Sequence, residues 1–234
     1  MKIKRGVKIA LMLVGLIVLI LLIVFGRIWK LKNNQTYYDE LEDALRNPEK
    51  AEVLVMRNRN MVTLSTEIGK LYHLKILNIG NNDLRYLPPE IGLLKELEEL
   101  SVENNLLTSI PDEILKLNRL RKINLNNNRL SSFPWFNSQS IEEIHLCNNN
   151  INTIPGVIRN MKRLKIIDLA DNQIVQIPDD VIFPDSLRKL DLFHNSIKST
   201  APSLFSIPGL RELILEENPL DATSLELYNK FKKH

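Results

Sequence analysis

The chain of 234 residues contains one cysteine, Cys147, so no internal disulfide can stabilise its fold. It also lacks a phosphate-binding glycine loop, a G-x-S-x-G nucleophile elbow, an H-E-x-x-H motif and paired cysteines at zinc-binding spacing. These motifs are the sequence signals of common nucleotide-binding, hydrolytic and zinc-dependent proteins. Their absence predicts a protein that is not an enzyme and that has no catalytic residues, no metal site and no cofactor.

Acidic residues are missing from the first 32 positions, which contain seven lysines and arginines. The whole chain has 31 basic and 28 acidic residues and a net charge of +3, so the part after residue 32 has 24 basic and 28 acidic residues and a net charge of −4. The basic excess is therefore confined to the N-terminal segment. We predict no nucleic-acid partner, because the rest of the chain has no excess of basic residues.

Residues 9–26 form an apolar run of 18 residues without a charged side chain. As a helix this run would be about 27 Å long, close to the roughly 30 Å hydrocarbon core of a bilayer. Lys8 and Arg27 flank it on either side. We predict a single-pass membrane anchor in residues 1–30 that contacts the lipid bilayer through residues 9–26, followed by a short linker at 31–36; a cleaved signal peptide is the alternative.

Four basic residues precede the run and three follow it, which favours a cytoplasmic N-terminus and a repeat region on the non-cytoplasmic side of the membrane.

The rest of the chain repeats one pattern, and the clearest copy, LEELSVENNLLTSIPDEILKL, occupies residues 97–117. Further copies follow at intervals of about 23 residues and begin at Leu74, Leu120, Ile141, Leu164, Leu187 and Leu210, with a degenerate copy at Ala51. The alternating apolar segment in each copy predicts a short strand with one buried face. Because one copy cannot bury its own apolar side, we predict that eight stacked units at 51–222 form a solenoid with a parallel sheet of about eight short strands on its concave face.

An asparagine follows the strand segment at the ninth position of the unit. Its carboxamide can donate and accept hydrogen bonds at once, which predicts that stacked asparagines satisfy the backbone of neighbouring turns. These residues are Asn82, Asn105, Asn128, Asn149, Asn172, Asn195 and Asn218. A proline that follows several residues later fixes the corner before a short helical return segment.

Two amphipathic segments flank the repeat units. We predict an N-terminal capping helix in residues 37–50, starting from a capping box at Thr36, and a C-terminal capping helix in residues 223–234, starting at Thr223. Such helices cover the apolar ends of a stack of repeats.

Side chains that alternate with the buried strand residues should point to the concave surface. In the second half of the array these side chains include acidic groups, histidines and one aromatic ring, a composition that favours contact with a protein. The predicted protein-binding residues are His145, Cys147, Asp168, Asp171, Asp191, Phe193, His194 and Glu216. A solvated face without a ligand is one alternative. A hydrolase or metal site built on His145 and Cys147 is another, which an open sheet disfavours because it has no desolvated pocket.

The consensus L-x-x-L-x-L-x-x-N-x-L-x-x-[LI]-P-x-x-I-x-x-L, as at 97–117 and 141–161, resembles the leucine-rich repeat of the Ras-suppressor and plant intracellular Ras-group class, which is also common in bacteria. The segment YYDELEDALRNPEKAEVLVMRNRNM looks like the start of many bacterial arrays of this type. The resemblance covers about residues 37–220. It implies an α/β fold, a leucine-rich repeat solenoid or horseshoe, which would here be preceded by a single transmembrane helix.

Such a resemblance implies non-enzymatic binding of a protein whose identity it does not give. We therefore expect a monomeric, membrane-anchored, bacterial-type leucine-rich repeat protein that mediates protein–protein interaction through its concave sheet face. A structural envelope protein without a specific ligand is the alternative.

Overall fold

A computed structural model describes residues 36–134 and 139–233. From Tyr38 onward the described residues form one compact unit. The described strands and helices follow one another as β1 (Tyr37–Tyr38), α1 (Leu41–Leu45), β2 (Val53–Val55), β3 (Ile76–Asn78), β4 (Glu99–Ser101), β5 (Lys122–Asn124), β6 (Glu143–His145), β7 (Ile166–Asp168), β8 (Gln176–Ile177), β9 (Lys189–Asp191), β10 (Ser199–Thr200), β11 (Glu212–Ile214) and α2 (Ala222–Phe231).

The predicted anchor at 1–30, with its membrane span at 9–26, lies outside the described residues, as does nearly all of the linker at 31–36. Among the helices that the structure does describe, none combines the length and the apolar character needed to cross a bilayer.

Nine strands form the main sheet in the order β1-β2-β3-β4-β5-β6-β7-β9-β11. From β2 onward every strand pairs in parallel and in register with the strand of the next coil. The central residues of these eight strands are aligned across the sheet and are at most 5% exposed: Leu54, Leu77, Leu100, Ile123, Ile144, Ile167, Leu190 and Leu213. The predicted solenoid with a parallel sheet is confirmed, and β1 adds a strand that the repeat pattern does not predict.

The hydrophobic core is one continuous cluster that extends from Leu41 to Tyr228. Each coil contributes aliphatic side chains that contact those of the next coil, so burial accumulates along the stack rather than within a single unit. Burying one such side chain contributes roughly 1.5–3 kcal/mol. Stability therefore depends on the contacts between neighbouring coils.

The return segments contain short 3₁₀ helices, which are tighter than the predicted helical turns. They span Pro48–Lys50, Thr66–Lys70, Pro89–Leu93, Asp112–Lys116, Gly156–Asn160 and Pro202–Ser206. The prolines Pro88, Pro111 and Pro155 each lie directly before one of these turns in an extended conformation. Adjacent turns approach so closely that a Cβ atom on Gly92 would lie 2.6 Å from the backbone oxygen of Glu113.

A second, two-stranded parallel sheet joins β8 and β10, with Gln176 opposite Ser199 and Ile177 opposite Thr200. In two consecutive coils, these strands lie between the asparagine that follows the main-sheet strand and the next proline, where the other coils have no strand among the described residues.

The helices at the two ends of the stack begin at other residues than the sequence predicted. Thr36 does not begin a helix: Tyr37–Tyr38 is extended, and α1 begins only at Leu41, after Glu40, whose side chain forms no capping hydrogen bond. In this extended conformation Tyr38 packs against the hydrophobic core.

At the C-terminal end, α2 begins at Ala222, one residue before the start at Thr223 that the sequence suggested. Asp221 is the N-cap of α2, and its Oδ1 accepts a hydrogen bond from the backbone N–H of Ser224 at 2.7 Å. A carboxylate at this position satisfies an otherwise free helical N–H and interacts favourably with the helix dipole. Thr223 therefore lies inside the first turn.

Candidate functional site

The outward-pointing side chains of the main sheet form a surface that we call the sheet face. Its middle row, the last residue of each strand from β2 onward, consists of Val55, Asn78, Ser101, Asn124, His145, Asp168, Asp191 and Ile214. The residues two positions later form the adjoining row: Arg57, Gly80, Glu103, Asn126, Cys147, Ala170, Phe193 and Glu216. The in-register pairing places the predicted site residues of these two rows on neighbouring coils. The alternation of side chains along each strand places them on the same side of the sheet.

The backbone behind this face is held by the seven stacked asparagines of the repeat, which we call the asparagine ladder: Asn82, Asn105, Asn128, Asn149, Asn172, Asn195 and Asn218. The Asn105 side chain is 5% exposed, and its Nδ2 donates to the backbone oxygens of Ile79, Val102 and Glu103 at 3.1–3.2 Å. Its Oδ1 accepts the backbone N–H of Leu84, in the preceding coil, at 3.0 Å. The other members repeat this arrangement, so the prediction that asparagines satisfy neighbouring turns is confirmed.

The residue directly before each asparagine of the ladder has a left-handed backbone conformation, which was not predicted from the sequence. The φ angles of these residues are between 48° and 57°, and the residues are Asn81, Asn104, Asn127, Asn148, Asp171, His194 and Glu217. Asparagine, aspartate and histidine are the non-glycine residues that most often adopt this conformation. The repeated Asn-Asn doublets were the sequence signal: the first asparagine turns the chain and the second bonds the coils.

In the first half of the sheet face, polar groups bind one another. The guanidinium of Arg57 passes over Gly80 and forms an ion pair with Glu103, with 2.7 Å between Nη2 and Oε1. Ser101 Oγ donates to the second carboxylate oxygen at 2.8 Å, and Asn124 Nδ2 contacts that same oxygen. This network leaves little unsatisfied polarity for a ligand.

The second half of the sheet face is different, because carboxylates predominate on β7 and β9. Asp168 and Asp191 are neighbours in register, and one oxygen of each accepts a backbone N–H from its own strand, at 3.2 and 3.1 Å. Neither forms an ion pair with a lysine or arginine among the described residues. Burial and, to a smaller extent, the negative charge of Asp191 raise the pKa of Asp168 above its ordinary value. His145 lies beside this pair, with 4.0 Å between its Nδ1 and Asp168 Oδ2.

A second group of predicted residues lies next to these carboxylates. The His194 ring Nδ1 is 2.7 Å from Asp171 Oδ1, and Cys147 Sγ is 3.7 Å from Asp171 Oδ2. Phe193 projects from the same edge with 38% of its surface exposed. We call the set His145, Asp168, Asp171, Asp191, Phe193 and His194 the acidic surface.

The chemistry of Cys147 argues against a nucleophile. Burial and the nearby charges of Asp168 and Asp171 raise the pKa of this thiol to about 12. The thiolate, which is the reactive form, is therefore scarce at neutral pH. Asp171 contacts both the thiol and His194, and none of the described histidines forms a hydrogen bond with the sulfur as a general base would. Among the described residues, no group of three histidine, cysteine, aspartate or glutamate side chains is placed to hold a metal ion.

Glu216, the last predicted site residue, is engaged by the C-terminal helix. Tyr228 donates its hydroxyl to Glu216 Oε2 at 2.6 Å, and Lys232 Nζ is 3.3 Å from Oε1. The hydrogen bond from Tyr228 holds the pKa of this carboxyl below its ordinary value. Glu216 therefore helps to attach α2 to the last strand of the sheet, and it does not belong to the acidic surface.

Comparison with known proteins agrees with this architecture. Family models for leucine-rich repeats match residues 139–181, as two copies, and residues 186–207, as one. The aligned strands, the asparagine ladder and these matches define a leucine-rich repeat protein. No curated protein sequence matches the chain.

Several solved structures are similar. A leucine-rich repeat protein of Leptospira interrogans has 31% sequence identity and a TM-score of 0.67, and the match covers 80% of this chain and 54% of that one. The ectodomain of the Arabidopsis thaliana receptor kinase GASSHO1/SCHENGEN3, in complex with CASPARIAN STRIP INTEGRITY FACTOR 2, has 29% identity and a TM-score of 0.66, with coverages of 80% and 23%. A TLR13–ssRNA13 complex shares the fold at 24% identity and a TM-score of 0.68, with coverages of 82% and 28%.

This chain thus spans about half the length of the Leptospira protein and about a quarter of the other two. The similarity identifies the repeat region, and the activities of those longer proteins are not carried over with it.

Proposed function

We propose that this leucine-rich repeat protein binds another protein through the acidic surface of its sheet face. The observation that carries the proposal is the pair Asp168 and Asp191, two adjacent carboxylates that form no direct ion pair with a lysine or arginine among the described residues, next to the exposed ring of Phe193. A polar surface with one exposed aromatic anchor is typical of binding hot spots.

The chemistry of the acidic surface favours a ligand segment that presents at least one lysine or arginine and one apolar side chain. A cation would lie between the two carboxylates, and the apolar group would cover Phe193. Electrostatic attraction of this kind speeds association and fixes orientation. The first half of the face, where Arg57 and Glu103 already bind each other, would add shape complementarity but little energy.

The comparison supports this choice of a macromolecular ligand. The Arabidopsis thaliana ectodomain, a similar structure at 29% identity, is bound to CASPARIAN STRIP INTEGRITY FACTOR 2. Because the present chain covers only 23% of that ectodomain, its ligand does not identify the ligand proposed here.

We also propose that residues 9–26 anchor the protein in a membrane, with the repeats on the non-cytoplasmic side. The support is the length of the apolar run and the slight excess of basic residues before it. Reporter fusions at the C-terminus that are active only outside the cytoplasm are the expected result. A mature N-terminus near Arg27 would instead indicate a cleaved signal peptide.

The Ras-suppressor and plant intracellular Ras-group class remains our proposal for the repeat type. Its support is the spacing of the consensus at 97–117 and 141–161. We also propose that the protein is a monomer, which light scattering of the purified full chain would test.

The binding proposal is tested by a triple variant, D168N/D191N/F193A, in cells that produce the protein. A photoreactive amino acid is placed in the sheet face at position 170, and crosslinked partners are identified by mass spectrometry. We expect the partner of the wild-type protein to be lost, with affinity reduced at least roughly tenfold.

The matched control is D179N/D180N/Y86A, which removes two exposed carboxylates and one exposed ring from the return side of the coils. It should retain the partner. If the two triple variants behave alike, the acidic surface is not the binding site. If crosslinking yields no partner and neither variant changes any phenotype, a structural envelope role is the better description.

A further inference from the structure

A groove at the C-terminal end of the solenoid lies between the 3₁₀ turn Pro202–Ser206 and helix α2. Its volume is about 610 Å³, within the roughly 300–1,000 Å³ typical of small-molecule sites. The groove is formed by residues of the last coil and the C-terminal helix, none of which belongs to the acidic surface.

The floor of this groove is apolar. It is lined by Phe205, Ile207, Leu210, Leu227 and Phe231, and each of these side chains is only partly buried. The rings of Phe205 and Phe231 are tilted against each other, with 6.4 Å between their centroids. The helix α2 therefore covers the end of the core incompletely and leaves an apolar surface accessible to a ligand.

Two cationic side chains, Arg211 and Lys230, complete the lining together with Ser206, and no acidic residue lines the groove. The guanidinium of Arg211 forms no hydrogen bond or ion pair with any residue that the structure describes. Lys230 pairs with Glu226 at 2.7 Å, but these side chains are 65% and 68% exposed. Such a surface pair is weak, so the ammonium group can bind a ligand instead.

A second cavity shows why this combination is specific. It also has two cations, Arg159 and Lys162, and apolar side chains that include Phe183, in a volume of about 430 Å³. However, Asp185 also lines this cavity, and its negative charge would disfavour an anion. The C-terminal groove, in contrast, joins an apolar floor with two cations and has no acidic residue in its lining.

We propose that the C-terminal groove binds an aliphatic carboxylate, a small molecule with a flexible apolar chain and one anionic head group. The chain lies on the phenylalanine and leucine side chains, where each buried methylene group adds favourable transfer energy. The planar guanidinium of Arg211 matches the two oxygens of a carboxylate, and Lys230 adds a second positive charge.

The test uses the full chain in lipid nanodiscs and a decanoate analogue that carries a diazirine on its alkyl chain. After irradiation, the labelled residues are mapped by mass spectrometry. We expect saturable labelling at Phe205, Leu227 or Phe231 that decanoate competes away and decanol does not. Labelling that decanol removes equally well, or that lies outside the groove, overturns the proposal.

A charge variant separates specific binding from partition into lipid. R211Q/K230Q should raise the concentration for half-maximal labelling about tenfold, because two exposed charge contacts are lost. The control variant R159Q/K162Q, which removes two cations from the other cavity, should leave it unchanged. Both variants must melt at the wild-type temperature. Equal labelling of R211Q/K230Q and wild type refutes the assignment, and loss of partner binding at the acidic surface has no bearing on it.

Discussion

Replacing Asn105 by alanine tests whether the asparagine ladder stabilises the stack. The three backbone oxygens that receive its Nδ2 hydrogens keep other donors: Ile79 O and Val102 O each bind another ladder asparagine, and Glu103 O binds a backbone N–H. Leu84 N–H, in contrast, has Oδ1 of Asn105 as its partner and belongs to a residue that is 0% exposed. The substitution therefore leaves one buried donor unsatisfied.

A buried donor without a partner costs about 1–3 kcal/mol, and the weakened carbonyl contacts add roughly 1 kcal/mol. We expect Asn105→Ala to lower the free energy of unfolding by about 2–4 kcal/mol, measured by urea denaturation followed by circular dichroism. Hydrogen exchange of the Leu84 amide should accelerate more than that of amides several coils away. A loss below about 0.5 kcal/mol would mean that water or a backbone shift replaces the side chain, and the ladder would then not be a major source of stability.

Two further variants sharpen this test. Asn218→Ala removes the same four contacts at the end of the ladder, where the side chain is only half-buried, so it should cost less. Asn105→Asp keeps the acceptor for Leu84 but directs a carboxylate at backbone oxygens, which raises its pKa in the folded state above the unfolded value of about 3.9. The folded state then binds the proton more tightly, so this variant should become more stable as pH falls through the folded pKa. Stability that does not change with pH would contradict the proposed geometry.

Three other outcomes are expected. Gly92→Ala should lower the free energy of unfolding by about 1–3 kcal/mol, because its Cβ would lie 2.6 Å from a backbone oxygen of the next coil, whereas Gly156→Ala, with 3.4 Å to its nearest neighbour, should change it little in the same urea titration. The Cys147 thiol, with its pKa raised to about 12, should react with iodoacetamide at pH 8 far more slowly than free cysteine; a comparable rate would show that the thiol is not shielded as described. Because the pKa of Glu216 is lowered in the fold, its contribution to stability is present above the unfolded pKa of about 4.3 and is lost as pH falls through the folded pKa; Tyr228→Phe should weaken this acid-range dependence in thermal melts, and an unchanged dependence would exclude the hydrogen bond as its cause.

The repeat pattern predicted the solenoid well because its determinants are periodic. A buried residue such as Leu100 has an equivalent at the same position of every coil. The pattern of one unit therefore predicts which residues of neighbouring coils are in contact. The asparagine ladder was predictable for the same reason: a carboxamide at Asn105 has obvious partners once the coils are stacked. Periodicity also gave the rows of the sheet face, including His145 and Asp168.

Features that depend on single residues were harder to predict. The sequence suggested a capping box at Thr36, but Tyr37–Tyr38 is extended and Tyr38 packs against the core. At the other end, two carboxylates had functions that their positions in the repeat concealed: Asp221 caps α2, and Glu216 binds Tyr228. In each case a tertiary contact outweighed the local signal.

The acidic surface shows the limit of sequence reasoning most clearly. Asp168, Asp171 and Asp191 were chosen for their face alone, yet the structure separates them: Asp171 is paired with His194 at 2.7 Å, whereas Asp168 and Asp191 form no direct ion pair with a lysine or arginine among the described residues. That distinction depends on side-chain geometry, which no repeat pattern contains.

Stability and recognition should be separable in this protein, because strand alternation divides their residues between two sides of the same backbone. Leu100 and Asn105 point into the stack, where they are 1% and 5% exposed, whereas Asp191 and Phe193 lie on the sheet face. Substitutions at Asp191 and Phe193 leave the buried apolar contacts between coils intact, and the asparagine ladder lies behind the sheet face. The alanine variant at Asn105 should therefore lose stability while the molecules that remain folded bind with unchanged affinity, and the face variants should do the reverse.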